Sequence, residues 1–279
     1  MHYLDEGSGE PILMLHGNPT WSFYYRNLVK DLSADGFRCI APDHIGCGFS
    51  SKPQEYSYTL AQHIENLEAL VKNLDLTGIT LVLHDWGGAI GMGFATRQPE
   101  KIKRIIILNT GAFLSKEIPW QINICRIPVF GAAVIRGLNG FALPATRMAT
   151  TRAGGLPPEV ARGFLWPYRT WHDRVANLRF VQDIPMKPDH RSFATLAEIE
   201  SKLPLFRKTP SMICWGGKDF CFNDHFLDRW KAEFPGAAVH RFADAGHYVL
   251  EDAYEEILPL ARSFCRESKA DQEKRVNRR

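Results

Sequence analysis

The sequence predicts an α/β fold: a mostly parallel sheet flanked by helices, with a helical cap inserted partway along the chain. Three observations predict it. Short β-branched runs alternate with stretches of helical periodicity, the pattern of strand–helix–strand crossovers. The run from Ile79 to His84 reads as a buried strand, as expected of a mostly parallel sheet with helices on its faces. The alternation then breaks between Gly111 and Arg207, where nine of the seventeen prolines gather.

Strands are expected at 1–5, 12–16, 38–41, 80–84, 104–108, 211–215 and 239–242, and helices at 21–32, 60–74, 87–98, 224–233 and 254–264. Within 60–74, Leu60, Ile64, Leu67, Leu70, Val71 and Leu74 recur at helical spacing and should face the sheet. The segment 111–207 is rich in aromatics and reads as several short helices inserted after the strand at 104–108. An insertion there would lie over the carboxyl ends of the strands, where open α/β sheets bind ligands. The reading divides the chain into a core (1–110 and 208–265), a cap (111–207) and a flexible basic tail (266–279).

Composition excludes several classes. A chain of 279 residues suits one large domain with an insertion, and 45% hydrophobic residues is too many for a disordered protein. The net charge of +3 is accounted for by the tail, where six basic residues face three acidic ones. The body is neutral, so no nucleic-acid-binding face is expected. The six cysteines match no zinc or haem spacing, and no metal or cofactor is expected. No basic segment followed by an apolar one opens the chain, which points to a reduced, cytoplasmic protein. The most apolar stretch, 118–143, is interrupted by Arg126, Pro128, Arg136 and Asn139, so an integral membrane protein is not expected.

The chemistry gathers at loop positions. The run Ile79 to Gly88 reads as a buried strand that ends at Asp85 and is followed at once by a helix, with Gly87 and Gly88 as small residues after the turn. A nucleophile elbow needs that context. Leu83 and Asp85 replace the Gly and Ser of the strict G-x-S-x-G pattern, so the candidate nucleophile is a carboxylate. Taken alone, a strand-Asp-helix junction equally suits a helix cap. The order of the remaining groups argues for chemistry. His247, in the Gly-containing loop after 239–242, sits where a base belongs, and Asp219, after 211–215, where its orienting acid belongs. His16-Gly17-Asn18-Pro19-Thr20 follows the second strand, the place from which a second oxyanion N–H is drawn. Asn18 and Trp86 add a side-chain amide and an indole N–H, two neutral donors suited to an anionic leaving group; Asn18 could also be a turn residue. The Gly-punctuated loop from Asp43 to Ser50 lacks the G-K-[ST] of a phosphate loop and reads as scaffold.

Together these motifs resemble the α/β-hydrolase family and, within it, the haloalkane dehalogenases. By position, Asp85 matches that family's nucleophile, His247 its base, and Asn18 and Trp86 its halide-stabilising pair. Some members carry the acid after the strand at 104–108; here that site is Asn109-Thr110, which leaves Asp219. A closer resemblance, carried by Met1 to Gly7, Trp21 to Arg26, Phe180 to Pro185 and Ile213 to Gly216, is to the β-lactone decarboxylases of bacterial long-chain olefin biosynthesis. That resemblance implies conversion of cis-3-alkyl-4-alkyl-oxetan-2-ones to cis-alkenes and carbon dioxide. It also implies assembly with a β-lactone synthetase and other enzymes of the pathway. Members of the group begin with a further strand, so a chain start upstream of Met1 and an unpaired sheet edge are implied as well.

The residues alone leave the substrate open between a β-lactone and an alkyl halide, since both use the same groups. The cap aromatics Phe113, Trp120, Phe130, Phe141, Phe164, Trp166, Trp171 and Phe180 are candidates to line an alkyl tunnel, with most expected instead to pack the cap on the core. Epoxide hydrolysis ranks lower, because it usually takes two cap tyrosines and Tyr168 is the only one between Gly111 and Arg207. A non-catalytic receptor is disfavoured by the intact Asp85, Asp219 and His247.

Overall fold

The computed structural model describes residues 1–267, so the tail expected at 266–279 lies, apart from Arg266 and Glu267, outside the described residues. Seven strands form one sheet: β1 (Tyr3–Glu6), β2 (Pro11–Leu15), β3 (Arg38–Pro42), β4 (Ile79–Asp85), β5 (Ile102–Thr110), β6 (Ser211–Gly216) and β7 (Ala238–Phe242). Their order is β1-β3-β2-β4-β5-β6-β7. β1 runs antiparallel to β3, and every other pair is parallel. All seven predicted strands form, within about two residues at each end.

Side chains that alternate along a strand point to opposite faces, and the core divides accordingly. Leu13, Leu15, Ile40, Leu81, Leu83, Ile105, Ile107, Ile213 and Trp215 enter one apolar cluster. Their neighbours Ile12, Met14, Cys39, Ala41, Val82, Ile106, Leu108, Met212 and Cys214 enter the other.

Helices cover both faces. α1 (Arg26–Ala34) lies on the second cluster's side. α2 (Leu60–Asn73) and α3 (Trp86–Arg97) lie on the first, where α2 buries Leu60, Ile64, Leu67, Leu70 and Val71 as its spacing requires. Thr59 caps α2, its hydroxyl accepting from the Gln62 N–H at 3.2 Å. The helix expected at 21–32 begins instead as a 3-10 turn, Ser22–Tyr25. The cause lies in the Asp43 loop: the fully buried Asp43 carboxylate accepts from the Ser22 N–H at 2.7 Å and the Phe49 N–H at 3.0 Å.

After β5 the chain forms short helices: α4 (Trp120–Ile124), α5 (Pro128–Gly131) continuing into a π-helical segment (Ala132–Gly137), α6 (Ala142–Met148), α7 (Pro158–Leu165) and α8 (Val175–Gln182). Cys125, Ile135, Leu178 and Val181 give them a small core of their own. α9 (Phe193–Lys202) places Leu196 and Ile199 in the first sheet-side cluster. Asp183 joins the two parts. Its buried carboxylate accepts from the Leu60 N–H at the start of α2 (2.8 Å), the Ser192 hydroxyl (2.7 Å) and Arg191 (2.8 Å). α10 (Asp224–Glu233) packs on the first face; α11 (Val249–Asp252) and α12 (Tyr254–Arg266) pack on the second.

Candidate active site

Asn18, Asp85, Asp219 and His247 follow or end β2, β4, β6 and β7. Because those strands are parallel, all four residues arrive at the carboxyl edge of the sheet. Asp85 closes β4 at φ 48° and ψ −125°. A non-glycine residue in that region is strained, and close packing holds it there. A Cβ on Gly17 would overlap the Asp85 side chain, and one on Gly87 would overlap the Leu15 carbonyl. The Thr110 hydroxyl donates to the Asp85 carbonyl. The Asp85 side chain makes no helix-capping hydrogen bond. It lines the cavity instead, with its Oδ1 accepting from the Asn18 backbone N–H at 2.6 Å.

His247 Nδ1 donates to Asp219 Oδ2 at 2.8 Å, and His247 Nε2 lies 3.8 Å from Asp85 Oδ2. The second Asp219 oxygen accepts from the Cys221 N–H at 2.7 Å. Phe222 stacks on the imidazole, ring centres 5.8 Å apart. The three ionisable residues predicted from sequence therefore meet in one buried cluster. Trp86 lines the cavity beside them. The Asn18 side chain departs from a simple donor reading, because its Nδ2 donates to the Asn177 carbonyl of α8 at 3.1 Å.

Two supporting residues were not singled out from sequence. His84 Nε2 donates to the His247 carbonyl at 2.9 Å, and its ring packs 4.6 Å from the His247 ring, fixing the backbone of that loop. Asn109 brackets Gly216 with two bonds, Oδ1 accepting from its N–H at 2.8 Å and Nδ2 donating to its carbonyl at 3.0 Å. It thereby anchors the loop that carries Asp219. The site that lacks a carboxylate in the sequence thus holds the strand end from which the acid comes. Both residues act through backbone atoms, which a residue-type pattern does not display.

Burial raises the Asp85 pKa above its usual 3.8, opposed by His247 and by the Asn18 and Trp86 backbone N–H groups. For His247 burial disfavours the charged form, but Asp219 and Asp85 outweigh it and raise the pKa above 6.5. His84, buried and beside His247, is pushed far below 6.5 and is neutral.

A cavity of about 220 Å³ opens over these groups. Its wall is apolar and mixed, with Ile118, Ile122, Met148, Val181, Ile184, Met186 and Leu196 beside Trp86, Phe113, Phe141, Phe220, Phe222, Phe226 and Tyr248. Of the eight aromatics considered from sequence, Phe113 and Phe141 line the cavity. Phe164 and Phe180 are buried in packing, and Trp120, Phe130, Trp166 and Trp171 are exposed. The buried Tyr168 hydroxyl donates to the Thr20 carbonyl at 3.2 Å and is not among the cavity-lining groups, so the cap offers no tyrosine to an epoxide.

The sequence profile of the alpha/beta hydrolase fold matches residues 10–126. The chain is 48% identical over 274 residues to the cis-3-alkyl-4-alkyloxetan-2-one decarboxylase of Shewanella oneidensis, covering 96% of this chain and 86% of that protein. It is 43% identical over 277 residues to the enzyme of the same name from Xanthomonas campestris pv. campestris, covering 95% and 91%. The crystal structure of haloalkane dehalogenase DatA from Agrobacterium tumefaciens C58 superposes with a TM-score of 0.83 at 29% identity, covering 94% of this chain and 91% of that one. By fold, and by identity that extends over nearly its whole length, the chain belongs to the branch of the α/β-hydrolase-fold family that holds the cis-3-alkyl-4-alkyloxetan-2-one decarboxylases.

Proposed function

We propose that the chain decarboxylates cis-3-alkyl-4-alkyl-oxetan-2-ones to cis-alkenes with Asp85 as nucleophile. The observation that carries the reading is the placement of a buried carboxylate, 3.8 Å from His247, in the wall of an apolar cavity. The relatives named above support it. An Asp85 oxygen attacks ring carbon 4 and breaks its bond to the ring oxygen, so a free carboxylate leaves at the other end. The Trp86 indole and the second N–H of the Asn18 amide are the donors for that charge. The bond between carbon 3 and the carboxylate then breaks, its electrons form the alkene, and the bond from carbon 4 to Asp85 breaks in turn. Carbon dioxide departs and the Asp85 carboxylate is restored. Inversion at carbon 4 followed by anti elimination returns a cis-alkene from a cis-lactone. No water, proton, metal or cofactor enters the balance.

Asp219 and Asp85 raise the His247 pKa, which favours the imidazolium, and in that form the ring stabilises the ionised Asp85. An imidazolium is no base for water, which disfavours hydrolysis of the ester relative to its decarboxylation. We place the reaction in the cytoplasm, in keeping with six free cysteines, with 111–207 as the cap over an apolar substrate. We also retain the assembly with a β-lactone synthetase.

The likeness to a haloalkane dehalogenase favours a second reading, displacement of halide by Asp85 and hydrolysis through His247. Purified protein offered a cis-dialkyl β-lactone and, separately, a bromoalkane decides between them. We expect alkene to form far faster than bromide, and freshly prepared Asp85→Asn to make neither. Bromide with no alkene would establish the second reading.

A further inference from the structure

The short helices that wall the cavity are apolar on their outer sides as well. In α4, Ile122 faces the cavity while Trp120 is 69% exposed and Ile124 is exposed too. In α6, Pro144 and Ala145 face the cavity while Leu143 is exposed, and Met148 both lines the wall and reaches solvent. Between them Ile127, Pro128, Val129 and Phe130 form an unbroken exposed apolar run, with Val129 at 83% and Leu138 farther on at 75%. A helix apolar all round belongs in a core or against lipid, and this many exposed large side chains in one segment mark a contact surface.

The charge of the same segment indicates what it contacts. From Ile118 to Pro158 the chain has four arginines (Arg126, Arg136, Arg147 and Arg152) and no aspartate or glutamate. The flanking acids, Glu117 and Glu159, lie just outside it. Along the segment the apolar side chains are set among cations, of which Arg152 pairs with Asp252 and Arg136 bonds Gln54; that balance suits the interface of an anionic bilayer. The segments Pro128–Gly137 and Ala142–Met148 have the apolarity of a membrane span but are bent by 74° to one another. Each falls well short of the roughly 20 residues needed to cross, so neither alone spans a bilayer.

We propose that the outer face of residues 118–148 docks the enzyme on an anionic lipid surface, with Met148 at the boundary between that surface and the cavity wall. Under the function proposed above, a lipophilic substrate would enter and a hydrocarbon product leave through lipid without crossing water. The docking itself rests on the exposed face alone.

Flotation of the full chain with vesicles tests it. Two compositions are needed, phosphatidylcholine alone and phosphatidylcholine mixed with phosphatidylglycerol. We expect binding to the anionic vesicles, weaker binding to the neutral ones, and weakening by salt. The double variant Val129→Asp/Phe130→Asp should lose about tenfold or more in vesicle affinity, the scale set by withdrawing two apolar side chains from lipid. Arg147→Gln should reduce the preference for anionic vesicles. Turnover of a short-chain, water-soluble β-lactone, measured in parallel, should be unchanged in both. Failure to float with either composition, or wild-type flotation of the double variant, overturns the proposal. So does a change of oligomeric state in the double variant without vesicle binding, which assigns the face to a protein contact. Flotation without alkene formation from any β-lactone would leave the docking intact and remove the proposed reaction alone.

Discussion

Asp85 has to be buried, ionised and exposed to substrate at once. Burial opposes ionisation, and His247 with two backbone N–H groups partly offsets it. Because the Asp85 pKa is raised and the nucleophile is the carboxylate, activity should fall as pH drops through a value above 3.8. A lactone-decarboxylation profile whose acid limb lies at or below the ordinary carboxylate range would contradict this. His247 titrates above 6.5, and hydrolysis of an alkyl ester needs its neutral form. Bromide release should therefore increase with pH through that region, while alkene formation should not need the rise. Asp219 holds the imidazole through Nδ1. Asp219→Asn should lower halide hydrolysis by up to about 10⁴ by favouring the wrong tautomer, as in a comparable triad, and should lower alkene formation by removing the charge that favours the imidazolium beside Asp85. A loss of less than about tenfold, with fold unchanged by circular dichroism, would mean another group orients the ring. These ionisable residues are legible in the sequence because chain order and loop context single them out. His84 and Asn109 are not, since their partners are the carbonyl of His247 and the backbone of Gly216, which any residue could supply.

Among the elements, the central strands were the most legible, because a strand buried on both faces leaves a short apolar run; the edge strands β1 and β7 are partly exposed and lack that signal. The helices were legible where one face was polar, as in α2. The cap was legible only as an interruption. Its helices are four to ten residues long, most of them too short to show a period, and their apolar residues face both inward and outward. The cap's aromatic content was accordingly a poor guide to the cavity wall: of the eight aromatics considered only Phe113 and Phe141 line it, and Trp86, Phe220, Phe222, Phe226 and Tyr248 come from the core. The tie between cap and core was missed as well, although Asp183 lies within one of the motifs that carried the family resemblance. Asp183→Ala would leave the Ser192 hydroxyl without its acceptor and the Leu60 N–H with only its long 3.4 Å bond to that hydroxyl, both in a buried setting. Each such loss costs about 1–3 kcal/mol; the half-exposed Arg191 adds little. Urea unfolding should register a destabilisation of about 2–4 kcal/mol on that scale, and a change below about 0.5 kcal/mol would show that the tie is dispensable.

For the molecule as a whole, one feature sets two kinds of selection against each other. Asp85 is a non-glycine residue at φ 48° whose carboxylate is buried. Conformations of that kind cost of order 1–3 kcal/mol. Glycine would remove both burdens, at about 0.5–1 kcal/mol of added chain entropy, and water entering the cavity could accept from the Asn18 N–H. Asp85→Gly should thus melt at a higher temperature than the native enzyme, by about 2–4 °C for each kcal/mol gained, and be inert. Asp85→Asn keeps the strained backbone while losing the charge, so its melting point separates the two contributions. A glycine variant that melts lower than the native protein would show that the surrounding packing needs the side chain. Laboratory evolution that rewarded heat resistance without assaying turnover would accordingly drift toward glycine at this position, so a thermostable descendant obtained that way could keep the whole architecture and have lost its catalysis.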